Sequence, residues 1–71
     1  MAIHECKKAS WGVYRVCDVF LSAHGEEIAL CVDWEGHFEL PARTVRHHRN
    51  ISAVEYARRS EAEKKQAFGL A

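Results

Sequence analysis

The sequence predicts an α+β fold, in which a three-stranded antiparallel β-meander is followed by one C-terminal α-helix. Three observations lead to this prediction. The first half of the chain contains stretches that alternate apolar and polar residues, glycine-containing turns separate these stretches, and a helix-capping sequence opens the last third. Since 71 residues are enough for one domain only, residues 1–71 are expected to form a single small domain.

The first predicted strand covers about residues 13–23. It is enriched in β-branched and aromatic residues, and Gly25 lies in the turn that follows it. Both faces of this strand carry apolar side chains, so it should not be an exposed edge of the sheet. Three segments could cover it: the N-terminal arm (residues 1–10), residues 42–46 or a second protomer. The small size of the chain also favours a homodimer or an obligate partner.

The second and third strands are predicted at about residues 28–34 and 37–41. At the first hairpin, a two-residue turn would pair Leu21 with Ile28, and a four-residue turn would shift this pairing but keep the same faces. At the second, a three-residue turn with Gly36 at positive φ would pair Val32 with Phe38. Both turns then place apolar residues on one common face. That face would contain Cys17, Val19, Leu21, Ile28, Leu30, Val32, Phe38 and Leu40.

The C-terminal helix is predicted at about residues 53–68. Ser52 is a favourable N-cap with Glu55 three residues later, and Gly69 provides a stop. Its thin apolar stripe, Val54 and Ala57, is expected to dock on the sheet. A break near Ser60 is an alternative to one continuous helix. Residues 42–50 could form either a short helical turn or an extended segment.

Charged residues are segregated along the chain although the net charge is zero. Six carboxylates and no Lys or Arg occur in residues 16–40, whereas five arginines and one Glu occur in residues 41–59. This pattern predicts internal ion pairs or charged partner surfaces. The candidate acidic contacts are Glu26, Glu27, Asp33 and Glu35. The candidate basic contacts are Arg43, Arg46, His47, His48, Arg49, Arg58 and Arg59. Trp34, at a turn, is the candidate aromatic anchor.

Residues that could carry chemistry do not form a recognisable catalytic or metal-binding motif. The three cysteines are odd in number and lack Cys-x-x-Cys spacing, so neither a disulfide framework nor a zinc site is expected. Gly-rich phosphate loops and nucleophile motifs are absent from the sequence. We therefore expect no cofactor, no metal and no enzymatic activity. The reduced cysteines, and a start that lacks a signal-peptide pattern, favour a cytoplasmic protein with no membrane span.

The function predicted from these observations is that of a small non-catalytic regulator or inhibitor that binds a macromolecule, most simply a protein, through charged surfaces. Phage and mobile-element accessory proteins are often of this kind. A second hypothesis is nucleic-acid binding through the arginine and histidine residues of segment 43–59. A third is a small metal-independent RNase that uses His47 or His48, because histidine titrates near neutral pH.

Overall fold

The structure, a computed structural model, describes residues 2–69 as one five-stranded sheet with two helices. The strands are β1 (Cys6–Ala9), β2 (Gly12–Leu21), β3 (Glu27–Asp33), β4 (Gly36–Pro41) and β5 (Arg49–Ile51). The helices are α1 (Ala42–His47) and α2 (Ala53–Ala67). All strand pairs are antiparallel, in the order β4-β3-β2-β1-β5. The α+β class and the C-terminal helix are confirmed, but the prediction of three strands is wrong, because the sheet has five.

The two additional strands come from the segments that lack an apolar pattern. β1 pairs with β2 and β5 pairs with β1, so the N-terminal arm covers the edge of β2. Of the three alternatives for that edge, the structure therefore selects the arm. Residues 42–50 contain both of the proposed conformations, because α1 ends at His47 and β5 begins at Arg49. These two short strands carry lysine, arginine and asparagine, which gave no strand signal in the sequence.

The predicted strand register is wrong at both hairpins. Val32 pairs with His37 and not with Phe38, because the β3–β4 loop has two residues and not three. Between β2 and β3, the register shifts at a β-bulge that leaves Cys17 unpaired. Val16 and Val19 therefore point to the same face although they are three residues apart. The single apolar face expected from the sequence is thus divided between the two faces of the sheet.

Each face of the sheet is covered by one helix. The α1 face carries the main core, a cluster of buried residues to which α1 contributes Val45. Its sheet members are Ala9, Tyr14, Val16, Ala29 and Cys31. On the α2 face, which carries the alternate residues of each strand, Val13 and Cys6 are buried. Helix α2 contacts β2 and β1 on this second face.

Helix α2 begins as predicted but packs through different residues. The Ser52 hydroxyl accepts a hydrogen bond from the Glu55 backbone N–H at 3.0 Å, and the helix continues without a break through Ser60. Val54, which was expected to dock on the sheet, is 66% exposed. The sheet is contacted instead by Tyr56, whose O–H donates to the Val32 carbonyl, and by Glu63, which accepts from the Val13 backbone N–H. Polar contacts therefore replace the predicted apolar stripe.

Candidate binding site at the tryptophan end of the sheet

Both tryptophans lie at the same end of the sheet. Trp11 is in the two-residue turn between β1 and β2, where Ala9 pairs with Gly12. Trp34 is in the two-residue turn between β3 and β4. Antiparallel pairing of β2 with β3 brings the start of one strand beside the end of the other, so the two turns are neighbours. We call this region the tryptophan end.

Trp11 is an exposed ring on an aromatic base. Its ring stacks on Tyr14 with centroids 5.4 Å apart and an interplanar angle of 16°, and it meets the edge of Phe38 at 5.4 Å. Nevertheless, 54% of Trp11 is exposed. Trp34 meets Phe68 edge-to-face at 5.9 Å and is half-buried. Of the two tryptophans, Trp11 is therefore the more exposed.

A buried polar layer supports the aromatic base. The Tyr14 hydroxyl lies 2.5 Å from Nδ1 of His48, and the Lys7 ammonium donates to the His48 carbonyl at 3.4 Å. Lys7 is only 5% exposed and forms an ion pair with Glu5 at 3.2 Å. No buried side-chain nitrogen or oxygen within residues 2–69 lacks a hydrogen-bond partner. This layer therefore ties the segment between α1 and β5 to the base of the Trp11 site.

The surroundings shift the pKa values of three groups in this layer. Burial raises the pKa of Tyr14, so its hydroxyl stays protonated in the hydrogen bond that it shares with Nδ1 of His48. Burial, and then the charges of Lys7 and His47, lower the pKa of His48. A hydrogen bond from the Ala2 backbone N–H, and the neighbouring ammonium of Lys7, lower the pKa of Glu5. The lowered pKa favours the neutral form of the His48 ring, and Glu5 is the negative partner of Lys7.

Carboxylates surround the exposed tryptophan on both sides. A groove of about 360 Å³ on the β4 side contains Asp33 and Glu35 together with Trp11. A second groove, on the α2 side, contains Glu35 and Glu63, again with Trp11. Neither groove is lined by a lysine or an arginine among the residues that the structure describes. The tryptophan end is thus an aromatic surface with negative charge.

The other predicted acidic residues lie at the opposite end of the sheet. Glu26 and Glu27 are at the β2–β3 turn, where Glu26 pairs with Arg43 at 2.6 Å and Glu27 pairs with Arg46. Each pair joins α1 to the hairpin. By contrast, Asp33 and Glu35 take part in no ion pair within residues 2–69. The structure therefore divides the predicted acidic set into a neutralised pair and an unneutralised pair.

The predicted basic residues do not form one surface. Arg49 and Arg59 both approach Glu55, at 3.8 and 2.6 Å. Arg58 is exposed, makes no ion pair in the described part of the chain, and lines a shallow groove with Arg59 and Ser52. His47 is exposed, whereas His48 is turned towards Tyr14. Only Arg49, Arg58 and Arg59 remain together, at the start of α2.

The side chains that could bind a metal ion are scattered over the part of the chain that the structure describes. Within residues 2–69, no group of three His, Cys, Asp or Glu side chains is close enough to hold a metal ion. The three cysteines are free thiols, and burial raises the pKa of Cys31 to about 11. Neither described helix has the length and apolar content needed to span a bilayer.

Comparisons of the chain with protein families, with curated proteins and with solved structures gave no match. The residues of the tryptophan end are therefore interpreted from their chemistry alone. Sequence reasoning identified Asp33, Glu35 and Trp34 as candidate contacts but missed Trp11, Phe38 and Glu63. Trp11 could have been found, because an aromatic residue directly before Gly12 is placed at a turn once β1 is recognised.

Proposed function

We propose that this protein is a small non-catalytic regulator or inhibitor that binds a basic segment of a protein partner at the tryptophan end. The observation that carries this proposal is the exposed Trp11 between two grooves whose charged lining residues are all carboxylates. Tryptophan is the aromatic ring best suited to cation–π contacts, and it is enriched among interface hot spots. Asp33 and Glu35 supply the matching negative charge.

The charge distribution supports a protein partner at this end and not at the other. The Glu26 and Glu27 carboxylates are occupied by arginines of α1, so a partner there would first have to displace those arginines. At the tryptophan end, one oxygen of Asp33 accepts from the Glu35 backbone N–H, but Asp33 and Glu35 have no ion pair in the described residues, so no cation has to be displaced. Phosphate groups would be repelled from the same surface, so this end favours a basic peptide over nucleic acid.

The proposal is tested by calorimetric titration of three probes: octalysine, octaglutamate and a 12-base-pair DNA duplex. We expect octalysine to bind, with an affinity that decreases as salt increases, and octaglutamate not to bind. Trp11→Ala should weaken octalysine binding by about thirtyfold or more, since truncating a hot-spot residue costs at least about 2 kcal/mol.

A matched pair of double variants locates the binding. Asp33→Asn with Glu35→Gln removes two charges at the tryptophan end, while Glu26→Gln with Glu27→Gln removes two charges at the other end. We expect only the first double variant to weaken octalysine binding strongly. Equal losses from the two double variants would mean that octalysine responds to net charge alone, and the proposed site would be rejected.

Nucleic-acid binding is the second candidate function, and one observation favours it. Arg58 and Arg59 line a common groove at the start of α2, and Arg49 approaches the same Glu55 as Arg59. Arginines are suited to bidentate phosphate contacts. In the titration above, duplex binding that is lost on reversing Arg49, Arg58 and Arg59 to Glu would favour this candidate. RNA cleavage that disappears in a His47→Ala, His48→Ala double variant would favour the RNase hypothesis.

A further inference from the structure

We infer that the basic partner segment binds as an added β-strand along β4, with one cationic side chain in the groove beside Trp11. This inference rests on the proposed function and adds to it a binding mode. It starts from the position of β4, which is an edge of the sheet. β4 has six residues, whereas the opposite edge strand, β5, has three. β4 is therefore the longer of the two free edges.

The backbone groups available on β4 follow from its hairpin. Asp33 and Gly36 close a two-residue loop and therefore form a hydrogen-bonded pair. Hydrogen-bonded pairs alternate along an antiparallel ladder, so Phe38 and Leu40 also direct their N–H and C=O groups towards β3. His37 and Glu39 direct theirs away from the sheet. Within residues 2–69, no other backbone hydrogen bond reaches these two residues.

The acidic groove follows this same edge. Five of its lining residues belong to β4 or to the turn before it: Glu35, Gly36, His37, Phe38 and Leu40. A strand added beside β4 would place every second side chain on the α1 face, where Phe38 and Trp11 lie. A lysine at such a position meets the Trp11 ring and the Asp33 carboxylate. The β4 edge thus provides main-chain hydrogen-bonding groups and a side-chain pocket side by side, as in other complexes formed by β-strand addition.

Charge selects a basic peptide over a second copy of this chain. Two β4 edges brought together would place two sets of Asp33, Glu35 and Glu39 side by side, and like charges oppose pairing. Pro41 ends the edge because it has no N–H to donate. These features are typical of edges protected against self-association. They leave the edge open to a strand that carries lysines.

The experiment uses an octapeptide of alternating lysine and threonine, together with a peptide of equal charge in which proline replaces threonine. Nuclear magnetic resonance with amide hydrogen exchange measures the binding and its location. We expect the lysine–threonine peptide to slow exchange of the His37 and Glu39 amides. The proline peptide should bind about tenfold more weakly, because it cannot form the ladder hydrogen bonds.

Two variants of Glu39 separate the backbone contribution from the charge. Glu39→Pro removes one outward N–H, whereas Glu39→Gln removes only the charge. The first should weaken binding more than the second. If Glu39→Pro fails to fold, the exchange measurement on the unmodified protein decides alone. Binding that depends on Trp11 but leaves the His37 and Glu39 amides unchanged would overturn strand addition and leave the proposed function standing. Absence of binding by both peptides would overturn both.

Sedimentation of the protein without peptide tests whether a second copy of this chain occupies the β4 edge instead of a peptide. A β4 edge pairing with the more basic β5 edge of another copy would give concentration-dependent oligomers. We expect a monomer at concentrations at which the peptide binds. Oligomers that dissociate on Arg49→Glu, with protection of the His37 and Glu39 amides in the oligomer alone, would assign the edge to self-association and refute the inference.

Discussion

Replacing Tyr14 with Phe tests the buried polar layer beneath the Trp11 site. Tyr14 is completely buried, and its hydroxyl is 2.5 Å from Nδ1 of His48. The substitution keeps the ring, and with it the contacts to Trp11, Phe38 and His48 at centroid distances of 5.4, 5.5 and 5.6 Å. What is lost is one part-buried hydrogen bond, and Nδ1 of the half-buried His48 is left without its partner.

The expected cost is about 2 kcal/mol, since leaving a buried polar atom unsatisfied costs roughly 1–3 kcal/mol. A chain of this length has a free energy of unfolding of roughly 4–10 kcal/mol, so the change is a large fraction of the total. With a slope of about 1 kcal/mol per molar urea, the unfolding midpoint should fall by about 2 M. Equilibrium urea unfolding, followed by tryptophan fluorescence and by circular dichroism, measures it.

Tyr56→Phe is the matched control. It removes the same hydroxyl from a half-buried tyrosine, whose bond to the Val32 carbonyl is longer, at 3.4 Å. Its midpoint should fall by less than about 1 M, because long and partly solvated hydrogen bonds contribute little. If Tyr14→Phe leaves the midpoint unchanged, or shifts it no more than Tyr56→Phe does, the polar layer does not stabilise the fold as argued.

Three further predictions concern strain, pH and surface charge. Gly12→Ala should cost about 1–3 kcal/mol, because Gly12 has a φ of +152° and a new Cβ would lie 2.7 Å from Oε1 of Glu63. Folding lowers the pKa of His48 from its ordinary value of 6.5, so as the pH falls below 6.5 the unfolded chain binds more protons than the folded chain. This contribution to stability is present above about pH 6.5 and lost as the pH falls through the folded pKa. Arg46→Ala should cost less than about 1 kcal/mol, because its pair with Glu27 is exposed.

Each of these predictions has a control in the same chain. Gly36→Ala places a Cβ in open space at a φ of +134°, so it should share the strain of Gly12→Ala without loosening α2 in amide exchange. His48→Gln should remove the loss of stability that begins as the pH falls below about 6.5, and an unchanged loss would assign it to another group. Arg58→Ala, at an exposed arginine without an ion pair in the described residues, gives the baseline for Arg46→Ala. Equal effects would mean that the Arg46–Glu27 pair contributes nothing measurable.

The parts of the fold that were predictable are those with local signals. β3 alternates apolar and polar residues, and the Ser52 cap and Gly69 stop mark the ends of α2 closely. β1 and β5 were not predicted, for two different reasons. β1 forms a local hairpin with β2, but its four residues include two lysines and give no strand propensity. β5 has three residues, and its partner β1 is distant in sequence, since Asn50 pairs with Lys7.

The candidate site was predictable only in part for the same reason. Asp33, Glu35 and Trp34 are adjacent in sequence and were identified together as a charged turn with an aromatic residue. Trp11 and Glu63 join them only because β1 forms a hairpin with β2 and α2 crosses the second face. The pairing of Glu26 and Glu27 with α1 likewise depends on where α1 folds back. Charge segregation in the sequence therefore predicted ion pairs, but it did not predict which carboxylates would have no ion-pair partner.

The bulge at Cys17 gives β2 one position at which its length can change. Val16 pairs with Cys31 and Asp18 pairs with Leu30, so Cys17 has no partner across the ladder. A gene that lost this single codon would encode a strand in which every remaining pair is kept and every side chain stays on its present face. If a codon were lost at most other positions in β2, each side chain between the deletion and the β2–β3 turn would move to the opposite face of the sheet. Because of the bulge, deletion of Cys17 is the one-residue deletion in β2 that preserves both the strand pairing and the faces of the hairpin.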